Sequence, residues 1–178
     1  VIYSLVLLLR ARIVTAIARA RLDFWVMQQD SIWTLDFSDA ELERAYPDAS
    51  LLFDTVGHDA FPEYEAMKEW VCGSTFFVRG SELTTQFFER TAHWMTHRFS
   101  PDSTIMNYLC RWGHYKCVKL PKKYVMNSNF FLGNRTLLPH IVQVDHSSPL
   151  PKMELFRVNK LVFVDEHGKC TPGSVANI

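Results

Sequence analysis

Hydrophobic and polar positions follow two periods along this chain, and the changes of period mark its elements. From Ser4 to Ala20, Leu5, Leu8, Leu9, Ile13 and Ile17 recur at helical spacing, with Arg10, Arg12, Arg19 and Arg21 on a wetter side. That pattern predicts a helix. Phe24-Trp25-Val26 then reads as a buried strand that stops abruptly at Gln28, Gln29 and Asp30 before turning apolar again at Ile32 and Trp33. Ser38 and Glu41 have capping-box spacing ahead of a short helix to about Ala45, which Pro47 and Asp48 stop. Leu51 to Asp54 is a short strand, followed by a polar loop from Thr55 to Glu63 that holds His58 and Asp59. Phe76 to Arg79 reads as a core strand entered through Gly73 and Ser74.

Ser81 caps a long helix whose apolar stripe is Leu83, Phe87, Phe88, Thr91, Trp94 and Met95. Ser100-Pro101-Asp102 opens another, with a capping residue, a proline at the first position and an acid in the first turn. Tyr115 to Leu120 is a strand turned by Pro121-Lys122-Lys123, and Asn127 to Asn134 reads as an Asn-rich loop. His140 to Asp145 is the last internal strand, and it too ends in polar groups, Asp145, His146, Ser147 and Ser148. An amphipathic tail follows. Leu161 to Asp165 is a final strand or extended segment, turned by Glu166-His167-Gly168-Lys169.

Helices and strands in this order predict an α/β fold with a mostly parallel sheet flanked by helices. A helix leading into a strand is half of a right-handed α/β unit, and the strand that would precede the Ser4 helix is missing. Residues 1–178 therefore read as a single domain, incomplete at its N-terminus. The length and 48% hydrophobic content suffice for one core. Lysine plus arginine equals aspartate plus glutamate, so nothing steers the chain to nucleic acid or an acidic membrane. The apolar run from Val1 to Leu9 is too short for a span of about 20 residues.

The chemistry gathers at strand ends. In open α/β sheets the carboxyl edge is where ligands bind, and a carboxylate such as Asp30 there can hold a hard divalent ion against a diphosphate. Asp30 can equally cap the turn after its strand. Gly73 removes a side chain where something must come close, or marks a bulge. Asp102 is accounted for by its helix start alone. His93 and His97 have metal-binding spacing without the acid of a metalloprotease motif between them, and read as surface histidines. Four cysteines, Cys72, Cys110, Cys117 and Cys170, allow three complete pairings. An even count and the Asn134-Arg135-Thr136 sequon fit a secretory-pathway lumen. There is no G-x-S-x-G elbow and no close nucleophile–base pair, which argues against a metal-free hydrolase.

Asp30-Ser31-Ile32-Trp33 resembles the second half of the Asp-x-Asp-x-x-Trp motif of the nucleotide-diphospho-sugar transferase domain family. Three later stretches resemble the same family in the right order: Cys72 to Gly80, Pro101 to Met106, and Gln143-Val144-Asp145-His146 through Lys152. The resemblance covers the chain from about Leu5 to Cys170. One departure stands out, because Gln28 occupies the place of the family's first aspartate.

The resemblance implies a glycosyltransferase A type fold and transfer of a sugar from a nucleotide-sugar donor to a glycan or protein acceptor. It implies Mn²⁺ or Mg²⁺ as cofactor, with Asp30, Gln28 and His146 as the metal set and Lys152 on phosphate. Gly73 and Ser74 would form the substrate floor. Asp102 would order the site or take the acceptor's proton. The compartment would be the Golgi or another secretory-pathway lumen, with any membrane anchor outside this chain. A catalytically silent member that binds glycans or proteins is the alternative, and the neutral oxygen of Gln28 is where the two part.

Overall fold

A computed structural model describes residues 2–36, 42–56, 67, 69–98, 100–132, 137–144, 150–162, 164–165 and 167–169. In chain order the helices are α1 (Ile2–Arg19), α2 (Leu42–Ala45), α3 (Glu82–His97), α4 (Asp102–Arg111), α5 (Ser128–Leu132) and α6 (Lys152–Val158). The strands are β1 (Phe24–Val26), β2 (Ser31–Trp33), β3 (Leu51–Thr55), β4 (Val71–Val78), β5 (Cys117–Lys119), β6 (Val125–Met126) and β7 (Ile141–Gln143).

The architecture is α/β, but its strands form two small mixed sheets. The first has the order β1-β4-β3-β5 and the second β2-β7-β6. β4 runs antiparallel to both β1 and β3, and β2 antiparallel to β7, while β3–β5 and β6–β7 are parallel. The expectation of a mostly parallel sheet is therefore corrected. The reason is that a strand buried on both faces lacks the alternation that would mark a one-sided antiparallel strand, so its residues do not report its direction. All eight residues of β4 are buried.

Alternation along β3 shows how the layers are filled. Leu51 and Phe53 point into a cluster with Phe76, Phe87, Phe88, Ile105 and Met106, which seats α3 and α4 on the first sheet. Leu52, between them, points the other way into a cluster with Phe77, Tyr124, Val125 and Ile141, which joins the two sheets. A third cluster of Met126, Phe130, Val142, Leu155 and Phe156 packs α5 and α6 on the second sheet. A buried polar pin also crosses between the sheets. Gln143 of β7 accepts from Ser31 of β2 at 3.2 Å and from Thr75 of β4 through its Oε1.

Local signals held where one face is decisive. α3 starts at its Ser81 cap, whose side chain accepts from the Thr84 amide while the Thr84 side chain answers the Ser81 amide. α4 starts at Asp102 with Pro101 at the cap position and no side-chain cap, so Ser100 does not play the expected role. Part of the expected loop from Asn127 to Asn134 is the helix α5, anchored by buried Phe130. The Ser38–Glu41 box, His58, Asp59, the sequon asparagine and Cys170 lie outside the described residues.

α1 forms as expected but turns a different face inward. It buries Leu7, Ala11, Val14, Thr15 and Ala18, and packs against α3 and α4. Leu5, Leu9 and Ile13 of the expected core stripe stay half exposed, beside Ile2, Tyr3 and Val6. A helix apolar around most of its circumference carries no periodic signal that selects one face. Among the described residues, no helix is long and apolar enough to cross a membrane.

Candidate functional site

The chain passes from one sheet to the other through Met27, Gln28, Gln29 and Asp30. β1 ends at Val26, the Ser31 amide closes a turn on the Gln28 carbonyl at 3.2 Å, and β2 begins. The Asp30 carbonyl accepts the Val144 amide at 3.3 Å, which fixes Asp30 beside the end of β7. The strand-end carboxylate expected from the sequence is therefore at a seam between sheets.

Lys152, the first residue of α6, reaches this seam. Its ammonium donates to Asp30 Oδ2 and, at 3.0 Å, to the Val144 carbonyl. The other carboxylate oxygen, Asp30 Oδ1, is buried and has no hydrogen-bond partner among the described residues. A buried acceptor left open costs the desolvation of that oxygen unless a donor or a cation meets it. Gln28 lies on the same surface.

These groups line a cavity of about 550 Å³. Its polar wall is Arg10, Gln28, Gln29, Asp30 and Lys152. Its apolar wall is Tyr3, Val6 and Leu7 from α1, with Met27, Met153 and Phe156 facing them. Polar groups that fix orientation beside an apolar wall are the usual makeup of a small-molecule site. One carboxylate and two cations suit a multiply charged anion, with or without a metal ion.

Asp30, Gln28 and Lys152 are thus brought together from the β1–β2 connection and the start of α6. Gly73, Ser74 and Asp102 are not among the residues that line the cavity. Gly73 faces α4: its amide donates to Ser103 Oγ at 3.3 Å, and a Cβ added to it would lie 2.7 Å from that oxygen. Ser74 is buried, with its hydroxyl against the Cys72 thiol. Asp102 is buried at 1% exposure, and its Oδ2 accepts from Arg10 Nε at 3.1 Å and from Arg10 Nη2. Its Oδ1 accepts the Ser103 amide at 2.8 Å. His146 and Asp145 lie outside the described residues.

Arg10 is the cavity residue that sequence reasoning undervalued. The sequence favours a solvated face for the four arginines, with Arg10 or Arg12 reaching a phosphate as the lesser alternative; in the structure the Arg10 side chain is only 17% exposed and meets a carboxylate 92 positions away. The available signal was a charge set inside an otherwise apolar helical run. Other strand-end groups serve the fold. Buried Asp54 accepts from Asn127 Nδ2 at 2.9 Å and from the Thr55 amide at 2.7 Å. His93 and His97 are exposed, as expected. Among the described residues, no group of three or more histidine, cysteine, aspartate or glutamate side chains is placed to hold a metal ion. Among the described residues, Cys110 and Cys117 form a disulfide that joins the end of α4 to β5, and Cys72 is buried.

No curated protein matches the chain. A family model described as nucleotide-diphospho-sugar transferase matches residues 2–156, a span that takes in α1, the Asp30 seam and Lys152. The chain therefore belongs to the nucleotide-diphospho-sugar transferase family.

Proposed function

We propose that the protein is a glycosyltransferase of glycosyltransferase A type fold that takes its sugar from a nucleoside-diphosphate donor and passes it to a glycan or protein acceptor. The donor's diphosphate occupies the polar wall of the cavity, and its base and ribose take the apolar side. The observation that carries this reading is the pair of Asp30 oxygens. One is met by the Lys152 ammonium, and the other is buried with no partner among the described residues, in a cavity large enough for a nucleotide.

A hard oxygen acceptor of this kind fits a divalent cation, Mn²⁺ or Mg²⁺. Asp30 and Gln28 would hold it, together with His146, and when bound it would neutralise charge on the leaving diphosphate. Lys152 serves the same anion as a point charge. Its contact with Asp30 keeps the ammonium at the mouth of the site, half exposed and close to where a phosphate would arrive. Gln28 offers a neutral oxygen where a carboxylate would add charge, so metal affinity is weaker than in a two-carboxylate site but not abolished. Gly73 supports the site through the close approach of β4 to Ser103 of α4. The Cys110–Cys117 bridge supports an oxidising compartment, the Golgi or another secretory-pathway lumen.

Calorimetry of nucleoside diphosphates, with and without Mn²⁺, tests this reading. Asp30→Ala should remove the metal dependence, and Gln28→Asp should strengthen it. If binding is unchanged in both variants, the seam is a structural turn. A silent glycan- or protein-binding member of the family then becomes the better reading.

A further inference from the structure

Among the described residues, two cations line the cavity, and one of them is held by a cavity carboxylate. Lys152 pairs with Asp30 at the wall itself. Arg10 pairs with Asp102, which lies behind the wall and contributes no lining atom. Asp102 is 1% exposed, and both its oxygens are engaged, Oδ2 by Arg10 Nε and Nη2 and Oδ1 by the Ser103 amide. Arg10 Nη1 takes no part in that pair.

We infer that Arg10 is an anion-binding residue of this cavity, presenting its guanidinium to a phosphate oxygen of the nucleoside diphosphate, and that Asp102 is the positioning residue that aims it. The inference rests on the nucleotide-sugar reading only for the identity of the anion. An arginine already fixed by a buried carboxylate has spent its rotamer entropy before the ligand arrives, so each bond to phosphate costs less ordering. Asp102 has the opposite character. A carboxylate sealed at the start of α4 and occupied on both oxygens is set to orient a partner, not to take a proton from an acceptor hydroxyl. Gly73 belongs to the same support, since the close approach of Ser103 to β4 sets where α4 begins.

The test is calorimetry on the full chain with inorganic pyrophosphate, and in parallel with a panel of nucleoside diphosphates. Arg10→Gln should weaken pyrophosphate roughly tenfold, as expected for one lost charge-assisted hydrogen bond. Arg10→Lys should recover part of the loss. Asp102→Asn should weaken binding severalfold while leaving Arg10 in place. Arg10→Gln alone strips a buried carboxylate of its partner and can unfold the chain. The Arg10→Gln/Asp102→Asn double variant removes both charges, stays neutral there, and should bind as weakly as Arg10→Gln and no worse. Strictly additive losses would overturn the positioning role of Asp102. Unchanged pyrophosphate and nucleotide affinity in the double variant would overturn the role of Arg10, leaving the nucleotide-sugar reading intact. Arg10-dependent pyrophosphate binding that no nucleoside improves would do the reverse, upholding the anion site and removing the donor assignment.

Discussion

Gly73→Ala separates a glycine that opens space for substrate from one that lets two elements meet. The added Cβ would lie 2.7 Å from Ser103 Oγ, 3.2 Å from Ser103 Cα and 3.3 Å from Ser103 Cβ. The first distance is shorter than real Cβ contacts allow, and the second involves backbone, so rotation of the serine alone does not relieve it. The first turn of α4 must move away from β4. Overpacking of this kind costs about 1–3 kcal/mol, and replacing a strand glycine returns about 0.5–1 kcal/mol of backbone entropy. With overpacking at the middle of that range, about 2 kcal/mol, the net loss is about 1–1.5 kcal/mol, or roughly 2–6 °C in Tm for a chain of this size. Thermal unfolding followed by circular dichroism measures it. Ser103→Ala removes the oxygen at 2.7 Å and forfeits the hydrogen bond to the Gly73 amide, for about 1 kcal/mol on its own. The double variant should be less destabilised than the sum of the two, because the clash and the bond share that oxygen. An unchanged Tm for Gly73→Ala with weakened donor or acceptor binding would refute this reasoning. It would place the glycine on the substrate floor.

Two further outcomes are expected. Cys110→Ser with Cys117→Ser opens a short loop, bridged across a separation of 7 residues, and by loop-closure entropy should cost about 2.5 kcal/mol, or roughly 5–10 °C in Tm; an equal Tm for oxidised and reduced protein would show that the bridge does not support the fold. The Glu69 carboxyl is held below its ordinary value by the hydrogen bond from Lys119 and by the charge of Lys119, with Arg111 adding to it, so Lys119→Met should raise it in a carboxyl NMR titration. Because the folded-state value is depressed, the pair's small contribution is present above the unfolded carboxyl value and fades as pH falls through the folded one. A titration that does not move would show that the ion pair is absent in solution.

The elements most legible in the sequence were those whose signal is local. Ser81 and the stripe through Phe87, Phe88 and Thr91 identify α3 because a cap and one buried face are both written within four turns. The Asp30 seam was legible for the same reason, as a polar break after an apolar strand. What escaped depends on partners far along the chain. β4 is buried on both faces, so nothing in its residues says that both neighbours run antiparallel to it. α1 is apolar nearly all round, and its inward face is chosen by α3 and α4, not by its own period. Asn127 to Asn134 has the composition of a loop, yet burial of Phe130 draws Ser128–Leu132 into a helix. Arg10 gains its meaning only from Asp102, 92 residues on. The aspartate's own helix-start position gave a sufficient explanation that hid the pair.

Trp25 lies on β1 in one sheet and Trp33 on β2 in the other, and their rings meet edge to face with centroids 6.2 Å apart. The segment between them carries Gln28 and Asp30. Two indoles at that separation couple their electronic transitions, and the coupling depends steeply on distance and mutual tilt. The molecule therefore carries an optical gauge across the seam on which its site is built. Any ligand that slides one sheet against the other writes its arrival into the near-ultraviolet ellipticity and emission of this pair, without a label and without turnover.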